Sequence, residues 1–142
     1  MRVLGIDYGM RRIGLALSDP TETIATPLDT LIRRRGKRAP LSKIESIAIE
    51  KGAEHLVIGL PLNLEGNETE WSGEVRAFGA SLSKRMNLQV SFVDERMTSV
   101  LAERTVRSIG LPKTKRENKA RIDAAAAQLI LQNWLDLRKH TK

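Results

Sequence analysis

The stretch Met1-Arg-Val-Leu-Gly-Ile-Asp-Tyr-Gly-Met-Arg-Arg-Ile-Gly14 constrains this chain more than any other. Val3, Leu4 and Ile6 make an apolar strand suited to the inside of a sheet, and Ile13-Gly-Leu-Ala-Leu-Ser18 reads as the strand that returns. Asp7 stands near the end of the first strand, between Gly5 and Gly9. A carboxylate in that position has lost much of its water and needs a cation or a strong partner. The glycines leave the backbone bare where something approaches closely or the chain turns. Two readings of Asp7 stand at this point. It caps a turn or pairs with Arg11 or Arg12, or it is one ligand of a cation held at the edge of a sheet.

The following residues build the rest of that sheet. Thr23 to Ile32 reads as a third strand in an antiparallel meander, and Pro27, with no ladder donor, places it at an edge or interrupts it. A basic loop, Arg33-Arg-Arg-Gly-Lys-Arg38, comes next. Ser42 with Glu45 predicts a capping box for a first helix, whose inward stripe is Ile44, Ile47 and Ala48 and whose stop is Gly52. Leu56 to Leu60 is a continuous apolar run, as expected of a strand covered on both faces. After the loop Pro61 to Asn67, Asn67 with Glu70 predicts the cap of a second helix. Its inward positions are Trp71, Val75, Phe78, Leu82 and Met86. Gln89 to Val93 is the last strand, and Thr98 or Ser99 can cap a third helix reaching about Ile109. Residues 110–119 then break the pattern with Gly, Pro and four cations, and read as a mobile basic loop. A final helix runs from Lys119 to Leu137.

Strand–helix–strand crossovers are right-handed and lay their strands parallel. The expected architecture is therefore α/β: a five-stranded mixed sheet, three antiparallel strands then two parallel, with helices on both faces. The length of 142 residues suits a single domain, spanning residues 1–138, followed by a polar tail at 139–142. There is no cysteine, hence no disulfide or thiolate metal site, which suits a reducing cytoplasm. No leader and no membrane span is read in the sequence.

Asp7 and Glu95 both fall at or just beyond the ends of strands expected to be parallel, where ligands of such sheets bind. Asp123, Ala127, Ile130, Trp134 and Leu137 share one face of the final helix, so Asp123 points toward the same edge. Each acid has a structural reading: Asp123 favours a helix N-terminus, and Glu95 pairs with Arg96 or Arg104. Together, three acids from separate elements repel one another unless a cation sits among them. His55 opens a buried strand and His140 is near the end of the chain, so a carboxylate-and-water site for Mg²⁺ or Mn²⁺ is expected. Such ions serve phosphodiester hydrolysis. The chain carries 24 Lys and Arg against 17 Asp and Glu, a net +7 that favours a polyanionic partner. Candidate phosphate contacts are Arg11, Arg12, Arg33, Arg34, Arg35, Lys37 and Arg38, then Asn63 and Arg96, and finally Lys113, Lys115, Arg116, Lys119 and Arg121. Aromatic residues are few, which favours a backbone-reading groove over a base-stacking platform.

Four ordered motifs also carry a resemblance. Gly5-Ile-Asp-Tyr-Gly with Arg12-Ile-Gly-Leu-Ala, Gly59-Leu-Pro-Leu-Asn-Leu-Glu-Gly66, Asp94-Glu-Arg-Met-Thr-Ser99 and Ile122-Asp-Ala-Ala-Ala-Ala-Gln-Leu-Ile-Leu-Gln132 resemble the YqgF (RuvX) family over nearly the whole chain. The resemblance implies an RNase H-like fold related to the RuvC-type junction resolvases. It also implies that Asp7, Glu95 and Asp123 are the acidic metal-binding positions of a two-metal nuclease. Members are described as nucleases that mature the 5′ end of pre-16S ribosomal RNA, and were earlier proposed as junction resolvases. The expected partner is thus pre-rRNA or a ribosomal precursor particle in the cytoplasm, with four-way junction DNA as the alternative and a monomer or homodimer as the assembly. A sugar-kinase-like phosphotransferase shares the first hairpin but needs a second domain, for which this chain is too short. A non-catalytic RNA-binding assembly factor would leave the acidic trio without a purpose.

Overall fold

In a computed structural model, residues 1–33, 38–97 and 115–141 are described, with the backbone alone at 97, 115–124 and 140–141. The strands are β1 (Arg2–Tyr8), β2 (Arg12–Ser18), β3 (Ala25–Pro27), β4 (Leu31–Ile32), β5 (Ala53–Leu60) and β6 (Gln89–Asp94). The helices are α1 (Leu41–Lys51), α2 (Glu70–Met86) and α3 (Lys115–Thr141), with a single 3₁₀ turn at Glu95–Met97. Among the described residues the sheet order is β3-β2-β1-β5-β6, with β4 also on β2. β1 pairs antiparallel with β2, Asp7 facing Gly14, and parallel with β5, Ile6 facing Ile58. β5 and β6 are parallel. The meander followed by parallel strands is therefore as expected, and its third strand is two short segments. Leu28 N–H still donates to Leu15 O at 2.8 Å, after which the chain leaves the edge and rejoins it at Leu31.

Side-chain alternation divides the core in two. Leu4, Ile6, Tyr8, Ile13, Leu15, Leu56, Ile58 and Leu60 face Ile44 and Ala48 of α1 and Val75, Phe78 and Leu82 of α2. On the other face, Val3, Ala16, Val57 and Val93 meet Ala126, Ala127, Ile130, Leu131 and Leu135 of α3. The molecule is thus three layers, with α3 alone among the described helices on its side. Burying such side chains stabilises the fold by about 1.5–3 kcal/mol each.

Several local expectations need correction. α1 has no side-chain cap: it starts at Leu41 after Pro40, whose carbonyl already accepts from Ile44 N–H at 3.2 Å, so Ser42 lies inside the helix. Gly52 does end it, in the left-handed conformation at φ 70°. α2 is capped by Thr69 and Ser72 rather than Asn67 and Glu70. Asn67 is held in the preceding turn, its N–H on Asn63 Oδ1 at 2.8 Å and its carbonyl accepting from Asn63 N–H at 3.1 Å. α3 begins four positions earlier than expected and continues through Thr141, so the polar residues 139–141 are helical. No glycine or proline interrupts 115–141, and its residue types favour helix. Leu137 is 52% exposed, because the buried stripe drifts through Leu131 and Leu135 instead. The helix expected from Thr98 or Ser99 and the basic loop at 110–114 lie outside the described residues.

Candidate active site

Asp7 belongs to the α3 face of the sheet, since its neighbours Ile6 and Tyr8 point into the α1–α2 core. It is 4% exposed. Glu95 enters the 3₁₀ turn directly after β6 and is likewise 4% exposed. Gly59 links the two. It follows Ile58, the partner of Ile6, and so stands beside Asp7 on the neighbouring strand. A Cβ on Gly59 would lie 2.9 Å from Glu95 Oε1 and 2.5 Å from Ile130 Cδ1. The carboxylate of Glu95 thus reaches back across bare backbone toward Asp7, in space that any side chain on residue 59 would fill. Sequence reading missed this role of Gly59, although it opens the Gly59–Gly66 motif.

Helix α3 closes the site from above. Trp134 stacks on His55 at 5.0 Å near the start of β5, whereas Ile130 lies against Gly59 near its end. The helix therefore runs toward the strand ends in its N-terminal direction, and the backbone of residue 123 lies on the turns leading to that edge. The side chain of Asp123 is outside the described residues. Among those residues no group of three or more His, Asp or Glu is arranged to hold a metal. The Asp7–Glu95 pair, two buried oxygen donors on either side of β5 at the same sheet edge, fits a hard divalent cation.

The turn that carries Glu95 is clamped by its neighbours. Arg96 donates to Asp94 through Nη2 at 2.7 Å and Nε at 3.1 Å, and through Nη1 to the Leu64 carbonyl at 3.3 Å. Hydrogen bonding to Arg96 holds the Asp94 carboxyl below its ordinary range, and Asp94 in return raises the Arg96 value. Arg96, read from the sequence as a phosphate contact or as a partner of Glu95, is engaged in this clamp. Asn63 Oδ1 accepts from the N–H groups of Glu65 and Asn67 at 3.1 and 2.8 Å, shaping the loop that the clamp grips.

The cations are spread around the same edge. Arg11 is exposed at the β1–β2 hairpin, and Arg12, half-buried, opens β2 opposite Ile32. Arg33 N–H donates to Arg11 O at 2.7 Å, which ties the end of β4 to the hairpin. Its guanidinium lies 4.9 Å from the Tyr8 ring centre. Arg38 is exposed at the approach to α1. Arg34, Arg35, Lys37 and Lys113 lie outside the described residues. Lys115, Arg116, Lys119 and Arg121 are on the opening turns of α3, described by their backbone alone.

A family profile described as RuvX: Holliday junction resolvase matches residues 1–137. A protein of Maridesulfovibrio salexigens named "Putative pre-16S rRNA nuclease" is 41% identical over 135 residues, covering 95% of this chain and 98% of that one. One of the same name from Chloroflexus aurantiacus is 40% identical over 137 residues, covering 96% and 88%. Among solved structures, Thermus thermophilus RuvC in complex with a Holliday junction substrate superposes with a TM-score of 0.60 at 17% identity, over 99% of this chain and 97% of that one. The fowlpox virus Holliday junction resolvase gives 0.53 at 11% identity, over 96% and 99%. At such identities the structural likeness establishes the fold, which is the RNase H-like one. The profile and the relatives reach further, because they follow the sequence itself from the first strand into the last helix: the chain belongs to the RuvX family.

Proposed function

We propose that this chain is a divalent-metal-dependent nuclease that hydrolyses phosphodiester bonds in pre-16S ribosomal RNA in the cytoplasm. One observation carries the reading: Asp7 at the end of β1 and Glu95 just after β6 are both buried at the same strand-end edge, and Gly59 leaves the intervening β5 bare between them. Two buried carboxylates brought to one strand-end edge are the hard oxygen donors that a divalent cation takes. Asp7 and Glu95 would hold Mg²⁺ or Mn²⁺, and Asp123 would complete the set for a two-metal arrangement. When bound, such ions neutralise phosphate charge and lower the pKa of coordinated water. The Asp94–Arg96 clamp fixes the turn from which Glu95 projects. Arg11, Arg12, Arg33 and Arg38 position the phosphate backbone, which accounts for affinity more than for sequence preference. Family membership and the names of the relatives support the substrate class, and no described helix is long and apolar enough to cross a membrane.

The family description favours a second reading, a junction-resolving DNA endonuclease. Such an enzyme must act as a symmetric pair to meet two strands, so the mass in solution bears on it. The test of the main reading is to incubate the protein with Mn²⁺ and matched pre-rRNA and four-way junction substrates. Cleavage of RNA is expected, and its loss in Asp7→Asn. Without metal the variant should melt at the wild-type temperature or above, because a charge near Glu95 has been removed. A folded Asp7→Asn protein that cuts at the wild-type rate would sink the metal-site assignment.

A further inference from the structure

A groove of about 290 Å³ opens on the sheet face opposite the acid pair. Leu41, Phe78 and Tyr8 form its apolar wall, Arg33 and Arg38 supply positive charge, and Glu74 of α2 supplies a carboxylate. Tyr8 is held firmly, parallel to Phe78 at 3.9 Å between ring centres and to Trp71 at 5.5 Å. Burial raises the Tyr8 pKa, so its hydroxyl remains a neutral donor; Arg33 and Glu74 act on it in opposite senses. The residues between the two arginines lie outside the described part of the chain and are not counted in the groove.

Each feature narrows the ligand. Two guanidinium groups call for a phosphate, with which they make charge-assisted, directional bonds. Glu74 would repel a bare phosphate, so the ligand must also bring a hydrogen-bond donor to meet it. The apolar wall suits the flat side of a base or the body of a sugar. The volume, at the lower end of small-ligand sites, admits one nucleotide and excludes a duplex. Asp7 and Tyr8 are consecutive on β1 and point to opposite faces, so a strand bent over the sheet edge could reach both.

We infer that this groove holds one ribonucleotide of the substrate strand, its phosphate between Arg33 and Arg38 and its ribose 2′-hydroxyl donating to Glu74, while a neighbouring phosphodiester lies at Asp7 and Glu95. The inference rests on the nuclease reading and deepens it, because a 2′-hydroxyl contact is what separates RNA from DNA.

The test uses the whole chain in excess EDTA, so that binding is measured without cleavage. Adenosine 5′-monophosphate, its 2′-deoxy counterpart and inorganic phosphate are titrated while backbone amide resonances are followed. In parallel, an RNA strand and the DNA strand of the same sequence are compared by fluorescence anisotropy. The ribonucleotide is expected to shift amides around Glu74 and Phe78 and to bind roughly five- to tenfold tighter than the deoxynucleotide, the net worth of one ordinary hydrogen bond at an exposed group. Arg38→Ala should weaken both nucleotides and both strands. Glu74→Ala, which removes the acceptor, should bring the RNA-to-DNA ratio close to one while leaving DNA binding level or tighter. Both residues are exposed, and the amide spectrum reports whether each variant is folded. Equal shifts with inorganic phosphate alone, shifts confined to residues around Asp7 and Glu95, or an unchanged ratio in Glu74→Ala would each overturn the inference. Asp7→Asn in the same metal-free assay should still bind the nucleotide. Failure of the metal site would therefore appear as lost cleavage control, and failure of the groove as lost ribose preference.

Discussion

Gly59 shows what one absent side chain does for this molecule. Both Glu95 Oε1 and Ile130 Cδ1 occupy space that a methyl group would contest, at 2.9 and 2.5 Å. Gly59→Ala must therefore move the glutamate, the helix or both. Overpacking of this kind costs about 1–3 kcal/mol. A melting temperature lower by several degrees is expected, together with a loss of cleavage larger than the loss of substrate affinity. Wild-type cleavage in a folded Gly59→Ala protein would show that the Glu95 carboxylate is not needed where it lies. Gly5 allows the same close approach on β1, where a Cβ would stand 2.7 Å from Leu131 Cβ. The sequence marked Gly5 as a bare position beside Asp7 and left Gly59 inside an apolar run. It could not show which atoms the two positions admit, because that depends on how α3 crosses the sheet and where the turn after β6 aims Glu95.

At the scale of elements, strands were legible and helix ends were not. The apolar run at Leu56–Leu60 and the alternation around Asp7 are properties of single segments, and they give the sheet directly. Caps depend on what the preceding loop does with its polar groups. Asn67 looked like a cap until its amide proved to be closing a turn with Asn63, which left Thr69 and Ser72 to cap each other. Thr69→Ala should destabilise the fold by about 1 kcal/mol and leave cleavage unchanged. Denaturant melts and a cleavage assay on that variant check both halves of the statement. Of the candidate site, the positions of Asp7 and Glu95 were readable from strand ends. The diversion of Arg96 into a clamp was not, since it needs the Leu60–Asn67 loop to pass beside the turn.

Two behaviours belong to the whole molecule. The first concerns His55, buried at the start of β5, with its Nε2 2.8 Å from Ser91 Oγ and its ring against Trp134. Burial and Arg138 lower its pKa below the ordinary 6.5, and Glu22 opposes them. The folded state therefore takes up a proton less readily than the unfolded chain. Its stabilising contribution is complete above 6.5 and is lost as pH falls from there through the folded value. Melting temperature should drop between about pH 7.5 and pH 5.5, and the drop should shrink in His55→Gln; an equal drop in the variant would assign it to other groups. The second is salt. With a net charge of +7, nucleic-acid affinity should fall steeply with ionic strength. Removing one phosphate-binding cation such as Arg38 should flatten the log–log slope by roughly 0.7 on a single strand. An unchanged slope would remove that cation from the binding surface.

Asp7 and Tyr8 share one peptide bond and face opposite ways. A strand held under the sheet by the groove and cut above it would be measured against a rigid unit whose length the protein cannot adjust. Position along the strand would then be chosen by counting from the gripped nucleotide rather than by reading its letters. Such an enzyme keeps one fixed offset between the gripped nucleotide and the cut, the same on unrelated sequences, and loosening the grip spreads that offset.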